Sequence, residues 1–168
     1  MMRILIAGIG NIFMGDDAFG CRVADDLAHH AMPDQVRVAD FGIRSYDLAY
    51  AIMDDYDAVI LIDAMPLGEP PGTVSLIEPD SAELEELSTG EADAHSMSPV
   101  AALRLVHNLG GDVRRLYVVG CEPAVLNAEE IGLSDPVSAA VPGAVAMVEM
   151  QIHELLEKEP ARGTHQSN

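Results

Sequence analysis

Three short stretches, residues 3–8, 57–63 and 115–120, carry consecutive apolar side chains rather than alternating ones, rich in isoleucine, leucine and valine. The first two read as strands buried on both faces, which points to a parallel sheet covered by helices rather than to a half-exposed antiparallel one. Between them the pattern changes to a helical period: Cys21, Ala24, Leu27, Ala28 and Ala31 recur as one face of a helix from about residue 17 to 30. Residues 35–40 form a second strand candidate and 46–54 a short helix. Strand, helix, strand in alternation predicts a three-layer α/β/α fold around a mostly parallel five-stranded sheet, in one domain.

The later chain supplies the remaining elements. Residues 66–72 hold three prolines and two glycines, a turn-rich connection to a strand at 73–77 on the sheet's edge. Residues 78–93 include seven acidic side chains and no basic one, a run expected to form a solvated face. Ser98-Pro99 is a helix start, with the helix continuing to about residue 109. Val141, Val145, Val148, Ile152 and Leu155 mark a long last helix, expected to be interrupted or kinked near Pro142-Gly143. The domain is expected to span residues 1–158, with 159–168 as a flexible tail.

The chain of 168 residues carries a formal charge of −19, and Lys158 is its single lysine. A field of that sign repels nucleic acid and anionic membrane, so neither is an expected partner. No apolar run reaches the roughly 20 residues a membrane-spanning helix needs. Two cysteines, Cys21 and Cys121, set no disulfide framework, and the start has no signal-like apolar region, so the expected compartment is the cytoplasm.

In open parallel sheets ligands collect outside the carboxyl ends of the strands, which directs attention to the loops after Gly8, Asp63 and Gly120. The first contains Gly8-Ile9-Gly10 but has Phe13 where a dinucleotide-binding fingerprint needs its third glycine, and no phosphate-loop, serine-hydrolase-elbow or zincin motif occurs. It does contain two adjacent carboxylates, Asp16 and Asp17, at the handover from strand to helix; Asp16 is also placed to act as a helix N-cap. Asp63 ends the most hydrophobic strand, where a charge is costly without a partner. His95 precedes a helix. Two carboxylates and one imidazole from three loops would form an open site suited to a transition metal rather than calcium.

These same residues carry a resemblance. The stretch Gly8-Ile9-Gly10-Asn11-Ile12-Phe13-Met14-Gly15-Asp16-Asp17-Ala18-Phe19-Gly20, followed by Asp63-Ala64, His95 and Gly120-Cys121-Glu122-Pro123, resembles the hydrogenase maturation proteases over nearly the whole chain up to the last helix. The resemblance implies an endopeptidase that trims a C-terminal extension from the large-subunit precursor of a nickel-iron hydrogenase once nickel is inserted. It implies Asp17, Asp63 and His95 as metal ligands that recognise nickel carried by the precursor, with other divalent transition metals also able to occupy the site. Asp16 is then a candidate general base. Many members carry a glycine-rich Asp-Gly-Gly-Thr-type segment where this chain reads Asp40-Phe41-Gly42-Ile43-Arg44-Ser45, a loop the resemblance gives a part in positioning substrate. Cys21 and Cys121 are read as buried small residues rather than nucleophiles. The alternatives are a module that inspects the nickel site of a precursor without cutting it, and a nucleotide-binding α/β protein, the latter disfavoured by Phe13 and the acidic field.

Overall fold

In the computed structural model, which describes residues 1–93, 97–124, 126 and 131–159, the apolar stretches form the centre of a five-stranded sheet. Its strands are β1 (Ile4–Ile9), β2 (Val36–Gly42), β3 (Ala58–Ala64), β4 (Val74–Ile77) and β5 (Leu116–Cys121), in the order β2-β1-β3-β5-β4. All pairings are parallel except that of β4 with β5, which is antiparallel and puts β4 on an edge. Every residue of β1, β3 and β5 is buried. The edge strands are only partly buried, as expected where one side lacks a covering layer.

Helices α1 (Phe19–Ala28) and α5 (Asp135–Glu157) cover one face of the sheet; α2 (Ser45–Ile52), α3 (Ser81–Ser88) and α4 (Pro99–Asn108) lie over the other. The strands divide their side chains with period two, as pleating requires. Ile4, Ile6, Ile60, Ile62 and Val119 pack with Phe19, Val23 and Leu27 of α1 and with the valines of α5. Leu5, Ala7, Val59, Leu61 and Val118 pack with Leu48, Leu103 and Leu84. The expected three-layer, mostly parallel single domain is therefore the observed one.

Several local readings change. The first helix starts at Phe19, after a 3₁₀ turn over Gly15–Ala18, and buries Phe19, Val23, Ala24 and Leu27, while Ala28 and Ala31 are exposed. Asp16 does not cap it: the cap position is Ala18, and no side chain bonds there. The helix α3 inside the acidic run was not anticipated; a reciprocal capping box starts it, with Asp80 accepting from Glu83 N (2.9 Å) and Glu83 from Asp80 N (3.0 Å). Ser98 caps α4 by accepting from Ala101 N at 3.1 Å, with Pro99 in its first turn, as the sequence predicts. The last helix is not interrupted: it runs through Pro142, whose ring and the following Gly143 face solvent. The tail expected from residue 159 lies, apart from Glu159 itself, outside the described residues. No described helix is long and apolar enough to cross a membrane.

Candidate active site at the carboxyl edge of the sheet

The strands end nearly level. Asp63 is in register with Gly120 and Ala64 with Cys121, while Ile9 lies opposite Gly42 after a bulge. What brings Asp17 down to that edge is close packing of α1. A Cβ on Gly20 would stand 2.0 Å from the Ile62 carbonyl oxygen and 2.4 Å from that of Ile9. The first turn of α1 therefore rests on the backbone ends of β1 and β3, three residues after Asp17 and one residue before Asp63. Gly10, at φ +138°, sits against the Asp17 carbonyl oxygen, 1.9 Å from where a Cβ would be. The glycines of the first motif are spacers that lower a carboxylate onto the sheet edge.

Asp17 is half-buried, and its Oδ2 accepts from Asn11 N at 2.8 Å. Asp63 is 5 % exposed, and its Oδ1 has no hydrogen-bond partner. Burial, then the neighbouring Asp17 charge, push the Asp63 carboxyl well above the ordinary carboxylate range, against a hydrogen bond from the Ala64 backbone that lowers it. A buried carboxylate beside a second one, with an oxygen unbonded, is an unfavourable arrangement by itself. A cation shared by the two would relieve it, and carboxylate oxygens are suitable donors, so this pair fits a metal ion. His95, the third predicted ligand, lies outside the described residues, as does the rest of its immediate segment. Among the described residues no group of three or more His, Cys, Asp and Glu side chains is arranged to hold a metal.

Asp16 faces the other way. It is fully buried, and its carboxylate accepts from Ser134 N (2.7 Å), Ala124 N (2.8 Å) and Ser134 Oγ (2.9 Å). It ties the loop after β1 to the connection between β5 and α5, including Ser134 at the N-cap position of α5, whose hydroxyl donates to Asp16 rather than capping the helix. Sequence reasoning did not find this, because the partners are 108 and 118 residues away.

Cys21 and Cys121 are both free and buried. The Cys21 thiol donates toward Gly10 O at 3.4 Å, and burial, followed by the nearby Asp40, Asp17 and Asp63 charges, pushes its pKa far up. Burial and then Asp16 and Glu122 push Cys121 up to about 11. Neither is a thiolate at neutral pH, and a thiolate is what a cysteine nucleophile requires.

Beside the carboxylates runs an open groove of about 310 Å³, whose lining includes Asn11, Phe13, Asp40, Phe41 and Ile43. Phe13 and Ile43 are more than half exposed although their loops are held by hydrogen bonds, Gly10 N to Gly42 O at 3.0 Å and Phe13 N to Asn11 Oδ1 at 2.9 Å. Arg44 turns back onto its own loop, donating to Asp40 O (2.6 Å) and Phe41 O (3.2 Å) and pairing with Asp47.

Comparison with known proteins agrees with this architecture. The family model described as hydrogenase maturation protease matches residues 21–151, a span that includes Asp63 and His95 and begins just after Asp17. A putative hydrogenase maturation protease of Methanocaldococcus jannaschii is 35% identical over 86% of this chain and 93% of its own. The hydrogenase 2 maturation protease of Escherichia coli is 29% identical over 98% of this chain and 99% of its own. Among solved structures, the hydrogenase maturating endopeptidase HybD from Escherichia coli superposes with a TM-score of 0.74 at 27% identity, covering 92% of this chain and 94% of that one. The hydrogenase 2 maturation peptidase from a Thaumarchaeota archaeon gives 0.66 at 32% identity, covering 89% and 97%. With a family match over most of its length, relatives aligned nearly end to end and the same overall fold in solved members, this chain is a peptidase that belongs to the hydrogenase maturation protease family.

Proposed function

We propose that this peptidase removes a C-terminal extension from the nickel-loaded large-subunit precursor of a nickel-iron hydrogenase, recognising the nickel through Asp17, Asp63 and His95. The observation that carries the reading is the Asp63 carboxylate, buried beside Asp17 with one oxygen unbonded. In the free enzyme this pair is electrostatically unfavourable. Nickel brought by the precursor is part of the substrate, and its positive charge removes the penalty when the precursor docks. A precursor without the ion gains nothing from the same contact, so metal loading becomes a condition for binding. Other divalent transition metals of similar donor preference would compete for the pair.

This chain's own groups orient the pair and hold the peptide beside it. The Asn11 backbone N–H holds Asp17 in orientation, and the groove along Phe13 and Ile43 gives an extended polypeptide apolar footing next to the carboxylates. Asp16, the candidate general base from sequence, has its carboxylate committed to donors that include Ser134 N, Ala124 N and Ser134 Oγ and is buried away from solvent. We therefore assign it the role of an anchor for Asp17 instead. Nickel, when delivered, supplies Lewis-acid polarisation at the site.

The experiment is a mass spectrum of the cognate large-subunit precursor before and after incubation with the enzyme, with and without nickel loading. Loss of a C-terminal segment from the nickel-loaded form alone is expected. Nickel-dependent complex formation with an intact precursor would favour the inspecting module, and no interaction in either form would remove both.

A further inference from the structure

The motif Gly120-Cys121-Glu122-Pro123 has no part in the chemistry so far, yet Glu122 is among the few charged residues that the fold buries, at 9 % exposure. Its carboxylate reaches across to the connection that leaves β3 immediately after Asp63 and Ala64. Oε2 accepts from Leu67 N at 2.6 Å and Oε1 from Gly68 N at 3.3 Å. The backbone repeats the grip, since Met65 N donates to Cys121 O (2.9 Å), Gly72 N to Glu122 O (2.8 Å) and Glu122 N to Thr73 O (2.9 Å). Two residues further on, Ala124 N donates to Asp16, the neighbour of Asp17. The short stretch from Cys121 to Ala124 thus holds the exit of the Asp63 strand with Cys121 and Glu122 and the Asp17 loop with Ala124.

We propose that Glu122 is a positioning residue for the metal-recognising pair: by gripping Leu67 and Gly68 it fixes the backbone that leaves Asp63 in register with the Ala124 N–H that anchors Asp16, and so sets the spacing of Asp63 and Asp17. The inference rests on Asp17 and Asp63 being the ligands. Metal affinity depends steeply on that spacing, and loss of a residue that orients a ligand typically weakens binding about 10–100-fold. A carboxylate that only stabilised a turn would change melting temperature and leave the affinity of the folded protein untouched.

The test is calorimetric titration of nickel(II) into the untagged, metal-free full chain, alongside thermal melts. Five proteins are compared: wild type, Asp17→Ala, Glu122→Ala, Glu122→Gln and Arg114→Ala. The last breaks ion pairs with Asp55 and Asp57 at the opposite end of the sheet and serves as a control for stability alone. Wild type and Arg114→Ala should bind alike, Asp17→Ala should not bind, and Glu122→Ala should bind about 10–100-fold more weakly. Glu122→Gln, which keeps an oxygen for the Leu67 N–H, should recover most of the affinity that the alanine variant loses; it also carries the test if the alanine variant does not fold. Binding by Glu122→Ala equal to that of Arg114→Ala, or by Glu122→Gln as weak as an unfolded chain, overturns the positioning role while leaving the ligands in place. Nickel uptake unaffected by Asp17→Ala, or absent from wild type, overturns both.

Discussion

Replacing Asp63 by asparagine is expected to make the metal-free protein more stable while abolishing its function. The carboxylate is 5 % exposed, has an unbonded Oδ1 and lies beside the Asp17 charge. The amide has nearly the same shape, keeps an oxygen for the Ala64 N–H and removes the repulsion. The direction with pH follows from linkage. Because the folded-state pKa is raised above the unfolded value of 3.8, the folded protein holds a proton that the unfolded chain has released. Stability is therefore lost as pH rises from about the unfolded pKa towards the folded one, and stays lost above it. Relieving a buried charge–charge repulsion that the fold leaves uncompensated is worth about 1–3 kcal/mol, the scale of an unpaired buried group. For a domain of this size that corresponds to roughly 2–12 °C in melting temperature. Melts of the two proteins in chelator, from pH 4 to 8, should show near-equal stability at the acid end and a widening advantage for Asp63→Asn towards pH 8. A variant less stable than wild type at pH 8, or a difference that does not change with pH, would refute the electrostatic account of the site.

Asp16→Ala removes the acceptor for at least three donors and should lower stability by about 3 kcal/mol or more, read by urea denaturation; a loss under about 1 kcal/mol would mean that the anchor is not one. Gly20→Ala sets a Cβ against two carbonyl oxygens and should cost about 3 kcal/mol or more, or prevent folding, as measured by circular dichroism of the purified variant. Neither cysteine should react with a thiol reagent at pH 8 before unfolding, and Cys21→Ala should retain at least about half of the processing rate, since burial and surrounding acids keep the thiols protonated. Rapid labelling of Cys21 in the folded chain would reopen the nucleophile reading.

What the sequence made legible and what it hid follow a physical division. The central strands declare themselves because both faces are covered, so 58–62 reads Ala-Val-Ile-Leu-Ile without a polar break. Ser98-Pro99 announces α4 because capping is local, and Asp63 stands out as a charge at the end of a buried strand. Helix α3 escaped notice because a single residue, Leu84, is buried along it, leaving no apolar stripe to detect; the Asp80 and Glu83 capping box was its available signal. Asp16 was read as a cap because an aspartate at a strand-to-helix turn usually bonds locally, whereas its partners arrive from the far side of β5. Glu122 was hidden for the same reason: its contacts lie more than fifty residues away and are made to backbone N–H groups, which leave no trace in residue type.

The central claim is that Asp63 is retained at a cost to the fold because it meets the metal of the substrate. The most direct measurement compares wild type and Asp63→Asn on the same nickel-loaded precursor, following release of the C-terminal segment by mass spectrometry while confirming by melts that the variant is folded. The account predicts complete processing by wild type and none by a variant that is at least as stable. Processing by Asp63→Asn at the wild-type rate would contradict it.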